Sequence, residues 1–548
     1  MKKRYLFLMA VLSGLLLSIS WPANGFPFLL FIAFVPLLYI EDFIAKNKHN
    51  FIKSSVFFYA YSAFFIWNLL TTWWIYYSTF FGAVMAVVCN ALFMAIVFHL
   101  YHLVRRTIFK SKGAFNVLII FWITFEYLHL RWDLSWPWLN LGNGFANYPI
   151  FVQWYEYTGV FGGDVWILLS NILLYKLLLN AFGYYKSRKN TINFAISFML
   201  LILIPSALSI NRYYNYHEVE DPYSCVVVQP NVDPYNEKFN GMTEEQQLQK
   251  MLHLALQAVD SKTDFLIFPE TALPDGIVEN EINESSSVDS LKYLIHTFPQ
   301  LKIVIGVSSF KVFGANETHS VTARYSKSDN SWFDVCNTAM FLDSSGVAQL
   351  YHKSKLVPGV EKMPFPKVLK PLEKFAINLG GMTGSNATQD ERSVFSQKNN
   401  MPKIAPVICY ESIYGDFITG YIRNGANFIF IITNDGWWEN TAGHRQHFQY
   451  ARLRAIETRR SIARSANTGI SGFINQRGDV FLPTKYWTSD VIKMSLNANS
   501  YKTFYVRFGD YLGYISMYVS FALLLMQVTI LFLNKRKRII IAKKKAHE

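Results

Sequence analysis

Three short stretches of the chain carry residue types suited to nucleophilic catalysis. The first is Phe268-Pro269-Glu270-Thr271-Ala272, where Glu270 follows the apolar run Leu266, Ile267 and Phe268. Partial burial at such a core edge raises a carboxyl pKa and makes a better general base near neutrality. The second is Val407-Ile408-Cys409-Tyr410-Glu411, in which Cys409 closes one strand-like run and opens the next element. A thiol beside a helix N-terminus or a cation ionises more readily, and the thiolate is the nucleophile. The third is Tyr351-His352-Lys353-Ser354-Lys355-Leu356-Val357-Pro358. A lysine near a thiolate favours the anion, and its N–H groups can stabilise an oxyanion. Taken singly, each stretch has a plain structural reading: a solvated strand-end Glu, a buried Cys, a basic surface. Together, in this order, they are far more specific.

The remaining candidates are weaker. Cys225 begins a strand, the wrong end for a site, and Cys336 is likewise a weaker candidate. Cys89, Cys225, Cys336 and Cys409 lie far apart with no CxxC or Cys/His cluster, so neither a disulfide framework nor zinc is indicated. His444 and His447 share a helix face, but no third ligand is evident. An ordinary polar face is expected there, opposite a buried side of Phe448, Ala451 and Ala455. No metal and no cofactor are expected.

The elements that position these stretches read as an α/β domain. Strand-like runs fall at Ser224–Gln229, Asp264–Phe268, Lys302–Val307, Ile404–Ile408 and Phe428–Thr433. Thr243 and Gln246 form a capping box before an amphipathic helix ending near Asp260. Sites in such folds gather at the carboxyl ends of strands.

Composition places that domain on a membrane. Of 548 residues, 51% are hydrophobic and only 16% charged, against about 25% in an average soluble protein. Apolar runs near 4–21, 26–41, 54–77, 80–104, 114–130, 158–181, 192–210 and 511–534 give about eight candidate spans. The first follows MKKR but has no clear cleavage site, so it reads as retained rather than as a signal peptide. Lys and Arg fill alternate loops, as the positive-inside rule demands, which puts both termini in the cytoplasm and residues 211–507 outside. The net charge of +14 is spent largely in these clusters, so no nucleic-acid partner is expected. The expected organisation is a seven-span bundle over 1–210, an external α/β domain over 211–507, an eighth span over 508–534 and a basic cytoplasmic tail over 535–548. Trp73–Tyr77 and Trp132–Trp138 read as interfacial belts; Trp437–Trp438 and Met363–Phe365 can anchor or cover the site.

FPETALP around Glu270, YHKSKLVP around Lys353, CYES at Cys409 and TNDGWW at Thr433–Trp438 together resemble the nitrilase, or carbon–nitrogen hydrolase, superfamily. The resemblance implies a four-layer α-β-β-α sandwich and a Glu270–Lys353–Cys409 triad. With seven spans before and one after, the whole chain resembles the bacterial apolipoprotein N-acyltransferase family. Ser135-Trp136-Pro137-Trp138-Leu139, Val228-Gln229-Pro230-Asn231, Cys336-Asn337-Thr338-Ala339 (matching a turn) and Arg464–Gly469 carry this, with Glu361 and Glu411 matching accessory glutamates. Two features depart from the family. Lys355 stands where a His is usual before Leu-Val-Pro, followed by Gly359-Val360, and Phe239 is the nearest aromatic where relatives often have Trp.

The resemblance implies an inner-membrane enzyme with its catalytic domain in the periplasm. Glu270 is implied as general base and acid, Lys353 with the Tyr410 N–H as oxyanion stabiliser and Cys409 as nucleophile; Glu361 orients Lys353 or polarises Glu270, and Glu411 helps hold the second substrate. The implied partners are a phospholipid acyl donor, a diacylglyceryl-cysteine apolipoprotein acceptor and the lipid bilayer. Three other readings compete: a membrane-anchored amidohydrolase, an inactive lipid-binding scaffold, and a transporter, against which the bundle shows no obvious charged intramembrane site.

Overall fold

Apolar helical stretches form wherever the sequence places a span. The computed structural model describes residues 3–110, 113–183, 187–238, 241–362, 365, 385–397 and 402–545; Phe239, Met363 and Pro364 lie outside them. Among the described residues, five helices are long and apolar enough to cross a bilayer: Pro27–Lys46, Phe80–Thr107, Val160–Phe182, Arg188–Asn215 and Tyr511–Lys544. Three further expected spans are helices of a lesser kind. Lys3–Ile19 has 17 residues and Val117–His129 has 13. Ser55–Thr72 dilutes its apolarity with Ser55, Tyr59, Tyr61, Ser62, Asn68 and Thr71.

These helices pack as a bundle, with 55–72 against both 3–19 and 80–107, and 160–182 against 188–215. The chain's last helix returns to lie on Val117–His129, where Thr124 and Ser520 hydroxyls meet at 2.8 Å. The bundle also holds charge that the sequence pattern hid. Arg105 bonds Glu41 and, at 2.8 Å, Asp42; His102 Nδ1 lies 2.7 Å from Glu41, and the Tyr175 hydroxyl donates to Asp42. Arg105 and Glu41 sit 64 positions apart on different helices, so no local run reveals the group.

The segment after residue 215 builds two sheets. The strands are β1 (Pro222–Gln229), β2 (Phe265–Ile267), β3 (Leu273–Val278), β4 (Lys302–Val312), β5 (Arg324–Ser326), β6 (Ser331–Leu342), β7 (Gln349–His352), β8 (Lys403–Ile408), β9 (Ala426–Thr433), β10 (Ser461–Ala466), β11 (Gly472–Ile474), β12 (Val480–Phe481) and β13 (Asp490–Asn497). One sheet runs β13-β1-β2-β4-β6-β5, with β3 on β4 and β7 on β6; the other runs β12-β11-β10-β9-β8. Residues of a strand alternate between its two faces. Val226, Val228, Leu266, Ile303 and Ile305 accordingly pack under the helices Glu244–Leu256 and Ser286–Thr297. Cys225, Val227, Phe265, Ile267 and Val304 face the second sheet, where Phe265 meets Phe428 and Phe430. Helices Gly415–Arg423 and Ala442–Thr458 pack on that second sheet, giving the layers helix, sheet, sheet, helix.

The Thr243 capping box forms as expected, although its helix ends at Leu256 rather than near Asp260. Cys336-Asn337-Thr338-Ala339 is not a turn: it lies inside β6, held by a continuous ladder to β4.

Candidate active site

Glu270 stands three residues beyond the end of β2. Phe268 N–H still bonds to Val304 O on β4, and Gly306 N–H bonds to Pro269 O. This close approach requires glycine at 306. A Cβ there would lie 2.5 Å from Thr271 N and 2.6 Å from Glu270 Cα, both backbone. The chain then turns at Thr271, whose φ is +46°.

The Glu270 carboxylate is buried and fully engaged. Its Oε1 accepts from Lys353 Nζ at 2.9 Å and from Asn337 Nδ2 at 2.8 Å; its Oε2 accepts from Asn434 N–H at 3.1 Å. Lys353 follows β7, and its N–H bonds to Asn337 O, so β6 and β7 deliver these two donors as neighbours. Glu361 completes the group. Its Oε1 accepts from Lys353 Nζ at 2.8 Å and Asn337 Nδ2 at 3.1 Å, while its Oε2 accepts from Val357 N–H.

The electrostatics differ from the sequence expectation in one respect. Burial alone pushes the Glu270 carboxyl up, but the Lys353 ammonium and the Asn337 amide outweigh it and hold it below the usual range. Glu270 is therefore an ionised acceptor at neutral pH. Lys353 is held firmly protonated: burial opposes the charge, and Glu270 and Glu361 more than compensate.

Cys409 begins the turn after β8 in a left-handed conformation, φ +48°. That backbone region costs a non-glycine residue on the order of 1–3 kcal/mol and persists only where surroundings hold it. Ser412 Oγ donates to Cys409 O at 2.7 Å, and His447 Nε2 lies 3.1 Å from the same carbonyl. Burial, then the Glu270 charge, pushes the Cys409 thiol up, while Lys353 pulls it back down. The resting thiol is protonated and needs a base.

Glu411 makes no ion pair among the described residues. Its Oε1 accepts from the Tyr351 hydroxyl at 2.7 Å and from the N–H groups of Ser354 and Lys355; its Oε2 accepts from Ile408 N–H at 2.9 Å. It thus ties the lysine loop to the cysteine turn, and burial raises its pKa to about 7. Tyr410 anchors the turn from the other side, its hydroxyl donating to Ser135 O of the bundle's 131–157 loop. The departing Lys355 lies over the Tyr414 ring, and the Gly359-Val360 turn closes through Gly359 N–H to Lys362 O and Glu361 N–H to Val357 O.

Several contributors escaped the sequence reading. Asn337 and Asn434 fall inside quoted motifs but carry no charge to flag them. Lys238 is buried, and its Nζ donates to Glu270 O at 3.1 Å and Thr271 Oγ1 at 2.6 Å. His447 is not on a polar face: almost the whole of Ala442–Thr458 is buried between the second sheet and loops of the bundle. Its Nδ1 lies 2.9 Å from Asp435, which Arg464 also binds. The Cys409, Asp435 and His447 donor atoms all lie within 4.8 Å of one another, a convergence that His444 does not join. The aromatic loops likewise reach inward. Trp74, Trp138 and Trp438 form one cluster, and Trp138 packs on His447 and hydrogen-bonds Gln446. An interfacial belt does not describe Trp74 or Trp138, which are buried.

Comparison with known proteins matches both parts of the chain. Residues 13–173 match the apolipoprotein N-acyltransferase N-terminal domain, and residues 227–504 match the carbon-nitrogen hydrolase domain. A protein from Chlorobaculum tepidum named apolipoprotein N-acyltransferase is 29% identical over 93% of this chain and 94% of its own length. Proteins of the same name from Geobacter metallireducens and Thermotoga maritima are 26% and 25% identical, over 92% and 93% of this chain and 92% and 91% of their own lengths. With the second domain match spanning just over half of its residues, the chain belongs to the carbon-nitrogen hydrolase family.

Proposed function

We propose that the protein is a membrane N-acyltransferase. It moves an acyl chain from a phospholipid, through a thioester on Cys409, to the α-amine of a diacylglyceryl-cysteine apolipoprotein. The observation that carries this is the Glu270–Lys353–Glu361–Asn337 group, electrostatically coupled to a protonated Cys409 whose carbonyl lies 3.1 Å from His447 Nε2, with Trp138 of the bundle's 131–157 loop packed on that imidazole.

In the first half-reaction Glu270, ionised at rest, takes the Cys409 proton as sulfur attacks the ester carbonyl. Lys353 and the Tyr410 N–H stabilise the tetrahedral oxyanion. Collapse breaks the C–O bond, Glu270 returns the proton to the glycerol oxygen, and a lysophospholipid leaves. In the second half the neutral amine attacks the thioester and its surplus proton passes through Glu270 to the departing Cys409 sulfur. Amide and free thiol result, with ping-pong kinetics. Glu361 orients Lys353. Glu411, by its contacts, positions the lysine loop against the cysteine turn rather than holding substrate.

The loop charges support eight spans, cytoplasmic termini and a periplasmic catalytic domain over 211–507 in a bacterial inner membrane. A site in contact with the bundle suits lipid substrates and keeps water from the thioester. The test supplies full-length protein with acyl-labelled phospholipid and a diacylglyceryl-cysteine peptide. Label on the peptide amine supports the transferase. Label released only as fatty acid supports the membrane-anchored amidohydrolase instead.

A further inference from the structure

We propose that Glu279, Cys336 and His352 form a zinc-type metal site directly behind the catalytic carboxylate. One ligand atom from each lies within 4.8 Å of the other two. They come from three elements: Glu279 opens the turn after β3, Cys336 lies in β6, and His352 ends β7. The register brings them together. Cys336 pairs with Ser309 on β4, and Thr338 pairs with His352, so Cys336, Thr338 and His352 share one sheet face. Asn337 and Lys353, the next residue in each case, point to the other face and hold Glu270.

The donor set is thiol, imidazole and carboxylate, which selects zinc or a similar soft-to-borderline divalent ion over magnesium or calcium. His352 Nε2 now lies 2.7 Å from Glu279 Oε1, which also accepts from the Ser309 hydroxyl. Small rotations would turn the imidazole and the carboxylate onto an ion. Cys336 is 2% exposed, whereas the His352 and Glu279 side chains keep 17% and 14% exposure. One edge therefore admits the ion and a water as fourth ligand. Binding deprotonates the thiol, and its proton goes to solvent. The other converging trio, Cys409, Asp435 and His447, is a poorer candidate because the Arg464 guanidinium already occupies its charged side, touching both Asp435 and His447. An ion at Glu279, Cys336 and His352 pins β6 to β7 beneath the two donors that set Glu270.

The test uses detergent-solubilised full-length Cys409→Ala protein, so that the nucleophile cannot bind metal. The protein is stripped with chelator and titrated with Co2+, then Zn2+. The expected result is one Co2+ per chain with a thiolate-to-cobalt charge-transfer band. Zn2+ displaces it and raises the thermal midpoint. Adding Cys336→Ser removes both band and shift. Should that variant not fold, Glu279→Gln in the same background must weaken Co2+ binding by more than the roughly 10–100-fold typical of outer-shell changes. The proposal is overturned by no band, by a band that survives Cys336→Ser, by a band seen only when Cys409 is present, or by Glu279→Gln binding Co2+ as the parent does.

Discussion

Replacing Gly306 by alanine isolates the placement of Glu270 from its chemistry. The new Cβ would lie 2.5 Å from Thr271 N, 2.6 Å from Glu270 Cα and 2.7 Å from Pro269 O, where ordinary contact begins at 3.4 Å. All three atoms are backbone, so no side-chain rotation relieves the clash. The Glu270 turn must retreat by about 0.9 Å, taking the carboxylate off its Lys353 and Asn337 partners. A misplacement of about 1 Å costs a reaction on the order of 10²-fold, and overpacking costs about 1–3 kcal/mol of stability. Single-turnover acylation of Cys409 from a defined phospholipid, followed by intact-protein mass spectrometry, reads the rate; a melting curve reads the stability. Gly314→Ala is the control, since a Cβ there meets nothing within 4 Å. Gly306→Ala should fold, melt a few degrees lower and acylate about 100-fold more slowly. A folded Gly306→Ala that acylates within about threefold of the parent would refute the view that β4 sets the base; the 100-fold expectation rests on the distance scale above.

Other expectations follow from the same contacts. Asn337→Ala removes a donor shared by Glu270 and Glu361; a hydrogen bond to a charged group is worth about 1.5–3 kcal/mol, so acylation should slow roughly 10–150-fold with little change in KM for phospholipid. Lys353→Met leaves the buried Glu270 and the half-buried Glu361 carboxylates without their shared cation, so the Glu270 pKa rises, the base is protonated at neutrality, and residual acylation should move to higher pH. Glu411 has a folded pKa of about 7 against an ordinary 4.5, so its folded form favours the proton. Stability associated with that proton is full below pH 4.5 and lost as pH rises through 7, by up to about 3 kcal/mol. Relative to Glu411→Gln, the parent should therefore lose stability across that window; a pH-independent gap between their melting curves would contradict the assignment.

How much was legible depended on the range of the signal. Glu270, Lys353 and Cys409 each follow a strand; short-range patterning found β2 and β8 to within about one residue at each end but not the four-residue β7 before Lys353. β4 runs on to Val312 because its second half pairs with β6, a partner that local alternation did not reveal. Family resemblance drew attention to Glu361 and Glu411, but the partners of Glu411, the Tyr351 hydroxyl and the N–H groups of Ser354, Lys355 and Ile408, come together only in the fold. Asn337, Lys238 and His447 gain their places only through tertiary contact. Trp138 looked like an interfacial residue because a sequence does not show that its loop folds inward against the catalytic domain. Lys3–Ile19 and Val117–His129 are too short, and Ser55–Thr72 too polar, to join the five long apolar helices, so length and hydropathy give five spans where loop charge points to eight.

Cys409 as carrier of the acyl group is tested most directly by peptide mapping after incubation with a defined phospholipid and no acceptor. A single hydroxylamine-labile acyl adduct on the Cys409 peptide, absent from Cys409→Ala and discharged by a diacylglyceryl-cysteine peptide as its N-acyl form, is the predicted result. Transfer to that peptide by folded Cys409→Ala protein, or an adduct on another residue, would contradict it.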